Sequence, residues 1–275
     1  MGRTALILAL GALLGSPAVA APDPVGPDWR QADPENTLVI DTSKGRIIVE
    51  MAPAAAPKHV AQIKILARRG LYDGLTFFRV IDWFMDQTGD PKNTGDGVSD
   101  LPNLKAEFTF RRNASTPFAP VSAPMGAEEG LLGSLPVVSQ SAALMKLTPD
   151  HQVSAWGTYC PGVAGMGRDE DPDSANSQFF LMRQAYPSLD KRYTVWGRVV
   201  VGLDAVRAIK AGEPPADPDR MLSVRVLADL PEATRPRVFV LDAHGPAFAR
   251  LLARTRAKRG ADFSVCDLEL PVIVR

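Results

Sequence analysis

Apolar residues in this chain recur mainly in short runs with a period of two, broken by clusters of glycine, proline, asparagine and aspartate. Period-two runs place alternate side chains on opposite faces of a strand. Only Pro57–Gly70, Asp204–Lys210 and Ala247–Lys258 carry helical spacing instead. The 24 prolines and 22 glycines demand many turns and leave little room for long helices. This pattern predicts a mainly β fold whose sheet closes on itself and is capped by helices.

One run is unusual. Phe77-Phe78-Arg79-Val80-Ile81 reads as a strand with Phe77, Arg79 and Ile81 on one face and Phe78 and Val80 on the other. It continues through Phe84-Met85-Asp86-Gln87 into a turn-rich segment from Thr88 to Gly97. An arginine among phenylalanine, methionine and glutamine describes an apolar pocket with a fixed cation. By itself the run also describes an ordinary edge-strand arginine or half of an ion pair.

The formal net charge is +0, which gives no reason to expect a polyanion, and nucleic acid is not an expected partner. Arg3, the apolar run Ala5–Leu14 and Ala18-Val19-Ala20 read as a signal peptide over residues 1–20. No later run is long enough to span a bilayer, so a periplasmic or secreted protein without an integral membrane segment is expected. The histidines His59, His151 and His244 lie far apart and read as surface or capping residues; no metal site and no cofactor are expected. Cys160 and Cys266 either pair, tying the C-terminal segment down, or stay as two free buried thiols; pairing is the favoured reading in an oxidising compartment.

Further readings follow in chain order. Residues 21–36 read as a flexible arm. Leu38–Thr42 and Arg46–Met51 read as a hairpin turning at Ser43-Lys44-Gly45. Leu104–Phe108 reads as a short strand. Residues 111–155, with Pro117, Pro120, Pro124 and Pro136, read as an insertion holding one strand (Leu131–Val138) and one helical turn (Ala142–Leu147). Gln178–Met182, Tyr193–Val200 and Leu222–Leu227 read as strands. Residues 231–275 read as a C-terminal extension, a small α/β appendage with strands at Val238–Leu241 and Phe263–Leu270.

Four of these stretches together resemble the cyclophilin family of peptidyl-prolyl cis-trans isomerases: Gly70–Pro91, Val163–Arg168, Asn176-Ser177-Gln178-Phe179-Phe180, and Leu189-Asp190 with Tyr193–Asp204. They occur in family order over roughly residues 37–211, within a domain placed at 37–230. The resemblance implies a closed eight-stranded antiparallel barrel with a helix at each end. It implies that Arg79 is the catalytic residue. Phe84, Met85, Phe180 and Leu189 would line a proline pocket, with Tyr193 where histidine is often found. Gln87 and Gln178 would bind the substrate backbone, and Gly167 and Arg168 would align the peptide.

The expected function is Xaa-Pro isomerisation during the folding of exported proteins, by a monomer acting on proline-containing unfolded or flexible polypeptides. The alternative is a weakly catalytic peptide- or protein-binding chaperone module on the same scaffold. Phe78 stands where many members have histidine. Asp82 and Asp86 add negative charge near Arg79, and are expected to point away to water.

Overall fold

A computed structural model describes residues 25–275; the expected signal peptide lies outside the described residues. Eight antiparallel strands form the central sheet. Their spatial order is Met221–Val226, Thr37–Thr42, Gly45–Met51, Val195–Val201, Val163–Met166, Phe179–Met182, Met85–Thr88 and Arg79–Ile81. The sheet curls into a half-barrel and does not close, contrary to the expected closed barrel. The outer strands Met221–Val226 and Arg79–Ile81 share no ladder; the seam is crossed by the isolated bridges Thr76–Arg220 and Val80–Gly212 and by single backbone hydrogen bonds from the Gly74, Phe77 and Met221 N–H groups to the Met221, Asp219 and Leu75 carbonyls. The reason is chemical: the segment that would complete the seam contains Pro214, Pro215 and Pro218, which have no backbone N–H to give.

Both faces of the sheet are buried, with different partners. The inner face carries Leu38, Ile40, Val80, Phe179, Leu181 and Trp196 against helix Pro57–Arg68 and helix Leu203–Ala208. Helix Pro57–Arg68 starts on Pro57, whose missing N–H costs nothing in a first turn, and ends before Gly70 at φ 70°. His59 in this helix is fully buried, not at the surface as expected; its Nδ1 lies 2.7 Å from Glu107 Oε2, and burial holds its pKa down.

The outer face carries Met85, Val163, Phe180, Met182 and Val195 into a second core. That core is shared with Val121, Leu131, Leu135 and Val137 of the insertion and with Phe248, Val265 and Leu268 of the C-terminal region. The insertion is more ordered than a strand and a turn. It is a five-stranded antiparallel sheet in the order Phe110–Arg112, Val153–Gly157, Leu135–Gln140, Ala127–Leu132, Phe118–Ser122, with a 3-10 helix at Ala142–Lys146. Pro120 sits on its edge strand, where a missing N–H breaks no ladder. Leu104 makes only an isolated bridge to Ala175, so the expected strand Leu104–Phe108 does not form.

The N-terminal arm is not loose throughout. Trp29–Gln31 is an outer strand of a three-stranded sheet with Val238–Leu241 and Val272–Val274. Helix Pro246–Arg259 follows, and the expected strand Phe263–Leu270 is replaced by 3-10 turns at Gly260–Asp262 and Val265–Asp267. Two links fasten this region to the half-barrel. Cys160 and Cys266 form a disulfide across 106 residues, with Cα atoms 4.9 Å apart. The buried guanidinium of Arg198 donates to the Ser134 carbonyl (3.1 Å) in the insertion and to the Leu268 carbonyl (2.9 Å); burial pushes its pKa down to about 10.

Alternation along strand Met85–Thr88 decides where its charges go. Met85 and Gln87 face outward; Asp86 and Thr88 face inward. Asp86 is fully buried, so it does not point to water as expected. It meets Arg183 Nη1 at 3.3 Å, and Arg183 Nη2 also holds Asp82 at 3.1 Å. Burial pushes the Asp86 carboxyl up to about 8 against the attraction of Arg183. Phe77 differs from expectation too. It joins the inner core with Val80, because the strand starts only at Arg79 and the Phe77 N–H is taken by the Asp219 carbonyl at 2.9 Å.

Breaking the disulfide by Cys266→Ser or by a dithiol should lower folding stability by about 2–4 kcal/mol, since the closed loop is long. Denaturant unfolding of the oxidised and reduced protein measures this, and coincident curves contradict it. The raised pKa of Asp86 means that its contribution is complete below about pH 4 and is lost as pH rises toward about 8. The wild type should therefore lose more stability between about pH 5 and about pH 9 than Asp86→Asn does. Parallel pH dependences for the two proteins contradict the assignment.

Candidate active site

Register assembles the site. Arg79 pairs with Gln87 across two strands, Gln87 pairs with Phe180, Phe180 with Gly165, and Gly165 with Val195. Neighbours in register share a face, so a single row of outward side chains crosses five strands. The next row holds Ile81, Met85 and Met182. Gly165 is required in the first row. A Cβ there would stand 2.6 Å from both the Phe180 ring and the Tyr159 hydroxyl, so only glycine lets that ring lie over the strand.

Where the row leaves the second core, it borders a cavity of about 190 Å³. Nine of the residues expected from the sequence line it: Arg79, Phe84, Met85, Gln87, Gly167, Arg168, Phe180, Leu189 and Tyr193. Gln178, the tenth, reaches the site through Gln87 and not as a wall. Phe84 packs on Tyr186 at 4.6 Å between centroids, and Phe180 meets Tyr193 edge-on at 5.9 Å.

Arg168 does not extend its charge freely into the cavity. It stacks on Tyr193 at 4.4 Å and donates to the carbonyls of Asp169, Glu170 and Arg192. Its side chain thus fixes the tyrosine wall.

The polar side of the cavity is a directed hydrogen-bond chain. The Gln178 amide nitrogen donates to the carbonyls of Gly95 (2.8 Å) and Gly97 (2.9 Å), so its oxygen must face Gln87. Gln87 Nε2 donates to that oxygen at 3.0 Å, which turns Gln87 Oε1 toward Arg79 Nη1 at 3.3 Å. Two carbonyls therefore set both amide orientations, and through them one edge of the guanidinium.

Those carbonyls are themselves held. Buried Asp90 accepts N–H bonds from Lys92, Thr94 and Gly95; burial raises its pKa, the backbone donors outweigh that, and the net shift is downward. Asn93, at φ 56°, caps Thr76 through its side-chain oxygen at 2.7 Å and closes the loop.

Three contributors were not singled out from the sequence. Arg183 takes up Asp82 and Asp86 on the far side of the strand, away from Arg79. Asp90 organises the loop; it falls within the Gly70–Pro91 stretch that carries the family resemblance, but no role is read for it from the sequence. Glu213 accepts from Arg79 Nε at 2.8 Å and lies 134 residues away in the chain, where no spacing could reveal it. Among the described residues no cluster of His, Cys, Asp or Glu suits a metal ion. None of the described helices is long and apolar enough to cross a membrane.

Comparison with known proteins places this geometry. The sequence profile of the family described as "Cyclophilin type peptidyl-prolyl cis-trans isomerase/CLD" matches residues 37–226. A "Probable peptidyl-prolyl cis-trans isomerase" of Brucella suis biovar 1 is 36% identical over 214 residues, covering 72% of this chain and 86% of the relative. "Peptidyl-prolyl cis-trans isomerase-like 1" of Aspergillus niger is 26% identical over 197 residues, covering 70% of this chain and 95% of its own. Among solved structures, cyclophilin AquaCyp293 from Hirschia baltica is similar with a TM-score of 0.83 at 37% identity, over 90% of this chain and 93% of that one. That likeness spans a larger share of the chain than the family profile does. With a matching profile, a relative above a third identical and a shared fold, the chain belongs to the cyclophilin-type peptidyl-prolyl cis-trans isomerase family.

Proposed function

We propose that the chain accelerates Xaa-Pro isomerisation by holding the Arg79 guanidinium against the nitrogen of a twisted prolyl amide. The placement of Arg79 on a cavity whose other walls include Phe84, Met85, Phe180 and Leu189 carries this reading. Rotation about an amide bond costs ~18–20 kcal/mol because it breaks resonance; the prolyl case is slow for the same reason. In the twisted state the nitrogen regains its lone pair and becomes an acceptor. A cation aimed there binds the twisted state more tightly than either planar isomer, which is the condition for a lower barrier.

The donors of Arg79 divide accordingly. Nε is engaged by Glu213 and Nη1 by Gln87, which leaves the Nη2 edge for the substrate. Phe84, Met85, Phe180 and Leu189 supply the apolar walls for the proline ring. Gln87 and Gly167 flank the peptide, Gln178 orients Gln87, and Arg168 holds Tyr193 in place. The rotation requires no bond cleavage and no net proton transfer.

The substrates are proline-containing unfolded or flexible polypeptides, and the place of action is the periplasm or the exterior. A disulfide is the supporting observation, since such bonds persist mainly in oxidising compartments. The reading as a binding module with little turnover draws on the Glu213 contact, which offsets part of the charge of Arg79.

A protease-coupled assay on a short Xaa-Pro peptide separates the two. Arg79→Ala should reduce kcat/KM by about 100-fold, the size seen when one preorganised transition-state donor is removed. Unchanged turnover in that variant refutes the catalytic role, and negligible turnover in the wild type favours the binding module.

A further inference from the structure

The row that builds the site has one more member. Gly212 and Val80 exchange both backbone hydrogen bonds, each at 2.8 Å, as an isolated antiparallel bridge. The next pair in that register is Glu213 opposite Arg79. Glu213 therefore stands where a cross-strand neighbour would stand, and its Oε2 accepts from Arg79 Nε at 2.8 Å. Pro214 and Pro215 follow, restrict the backbone, and prevent the bridge from growing into a ladder.

The carboxylate is thus delivered to Arg79 by the backbone. A pair with both side chains this open to water, 41% and 53% exposed, adds little to stability. Its effect lies in geometry. Gln87 holds the guanidinium at Nη1 alone, and one bond leaves a planar fork free to swing about that contact. A second bond, at Nε, fixes the plane.

We infer that Glu213 is the positioning residue of Arg79, orienting the guanidinium so that its Nη2 edge faces the proline pocket. This rests on the reading of Arg79 as the catalytic cation. The carboxylate also offsets part of the positive charge, and position and charge can be separated by substitution. Glu213→Gln keeps an oxygen for Nε–H and removes the charge; Glu213→Ala removes both.

The test is kinetic and spectroscopic, on the full chain. Glu213→Ala should lower kcat about tenfold with KM within about threefold, the pattern of a misplaced transition-state group. Glu213→Gln should restore kcat to within about threefold of wild type. In an Arg79→Ala background, Glu213→Ala should cause no further loss. Full kcat in Glu213→Ala, a rise in kcat, or an equal loss in both backgrounds overturns the inference.

A second readout is independent of turnover. The Arg79 Nε–H cross-peak in a 15N correlation spectrum, assigned by its absence in Arg79→Lys, should be protected from exchange in wild type and Glu213→Gln. It should be lost in Glu213→Ala, and its persistence there overturns the inference. If Arg79→Ala retains full activity, the catalytic reading of Arg79 fails, while the cross-peak still decides whether Glu213 holds the guanidinium.

Discussion

The pleat of adjacent antiparallel strands is the constraint on which the site depends. Side chains in register share a face, and one row runs from Arg79 through Gln87 and Phe180 to Gly165. A slip of one residue in strand Met85–Thr88 would exchange Gln87 for Asp86, placing a carboxylate beside Arg79 and a neutral amide in the core. The native register does the reverse. It sends Asp86 inward to Arg183 and keeps a neutral amide against the cation.

That row is useful only because the rest of the outer face is covered. The insertion sheet and the C-terminal region share one apolar core with the half-barrel's outer face. The disulfide and the buried Arg198 bonds fasten this cover. At its margin lie Phe84, Leu189 and Tyr193, which are packed on the core and also line the cavity. The same packing that completes the fold thus supplies walls of the cavity beside Arg79.

Much of the site was legible in the sequence. Period-two alternation put Arg79 on one strand face, and motifs in family order supplied Phe84, Met85, Gln87 and Phe180. The lapses have physical causes. Many short strands with few helices, and the family resemblance, predict a closed barrel, yet the prolines at 214, 215 and 218 withhold donors along the seam. The insertion shows one strand and one helical turn in its sequence because Pro117, Pro120, Pro124 and Pro136 interrupt the alternation of strands that pair with one another. A charge such as Asp86 is expected at the surface, and the Arg183 that compensates it in the core lies 97 residues away. Glu213 became visible only once the Val80–Gly212 bridge aligned it with Arg79.

The central claim is that an oriented guanidinium, and not positive charge alone, lowers the barrier. Arg79→Lys keeps the charge but loses the planar fork that Gln87 and Glu213 hold. Its kcat and KM on an Xaa-Pro peptide, resolved by NMR exchange measurements, test the claim directly. The expected result is a kcat reduced by about tenfold or more with KM within about threefold of wild type. A kcat equal to that of the wild type would contradict it.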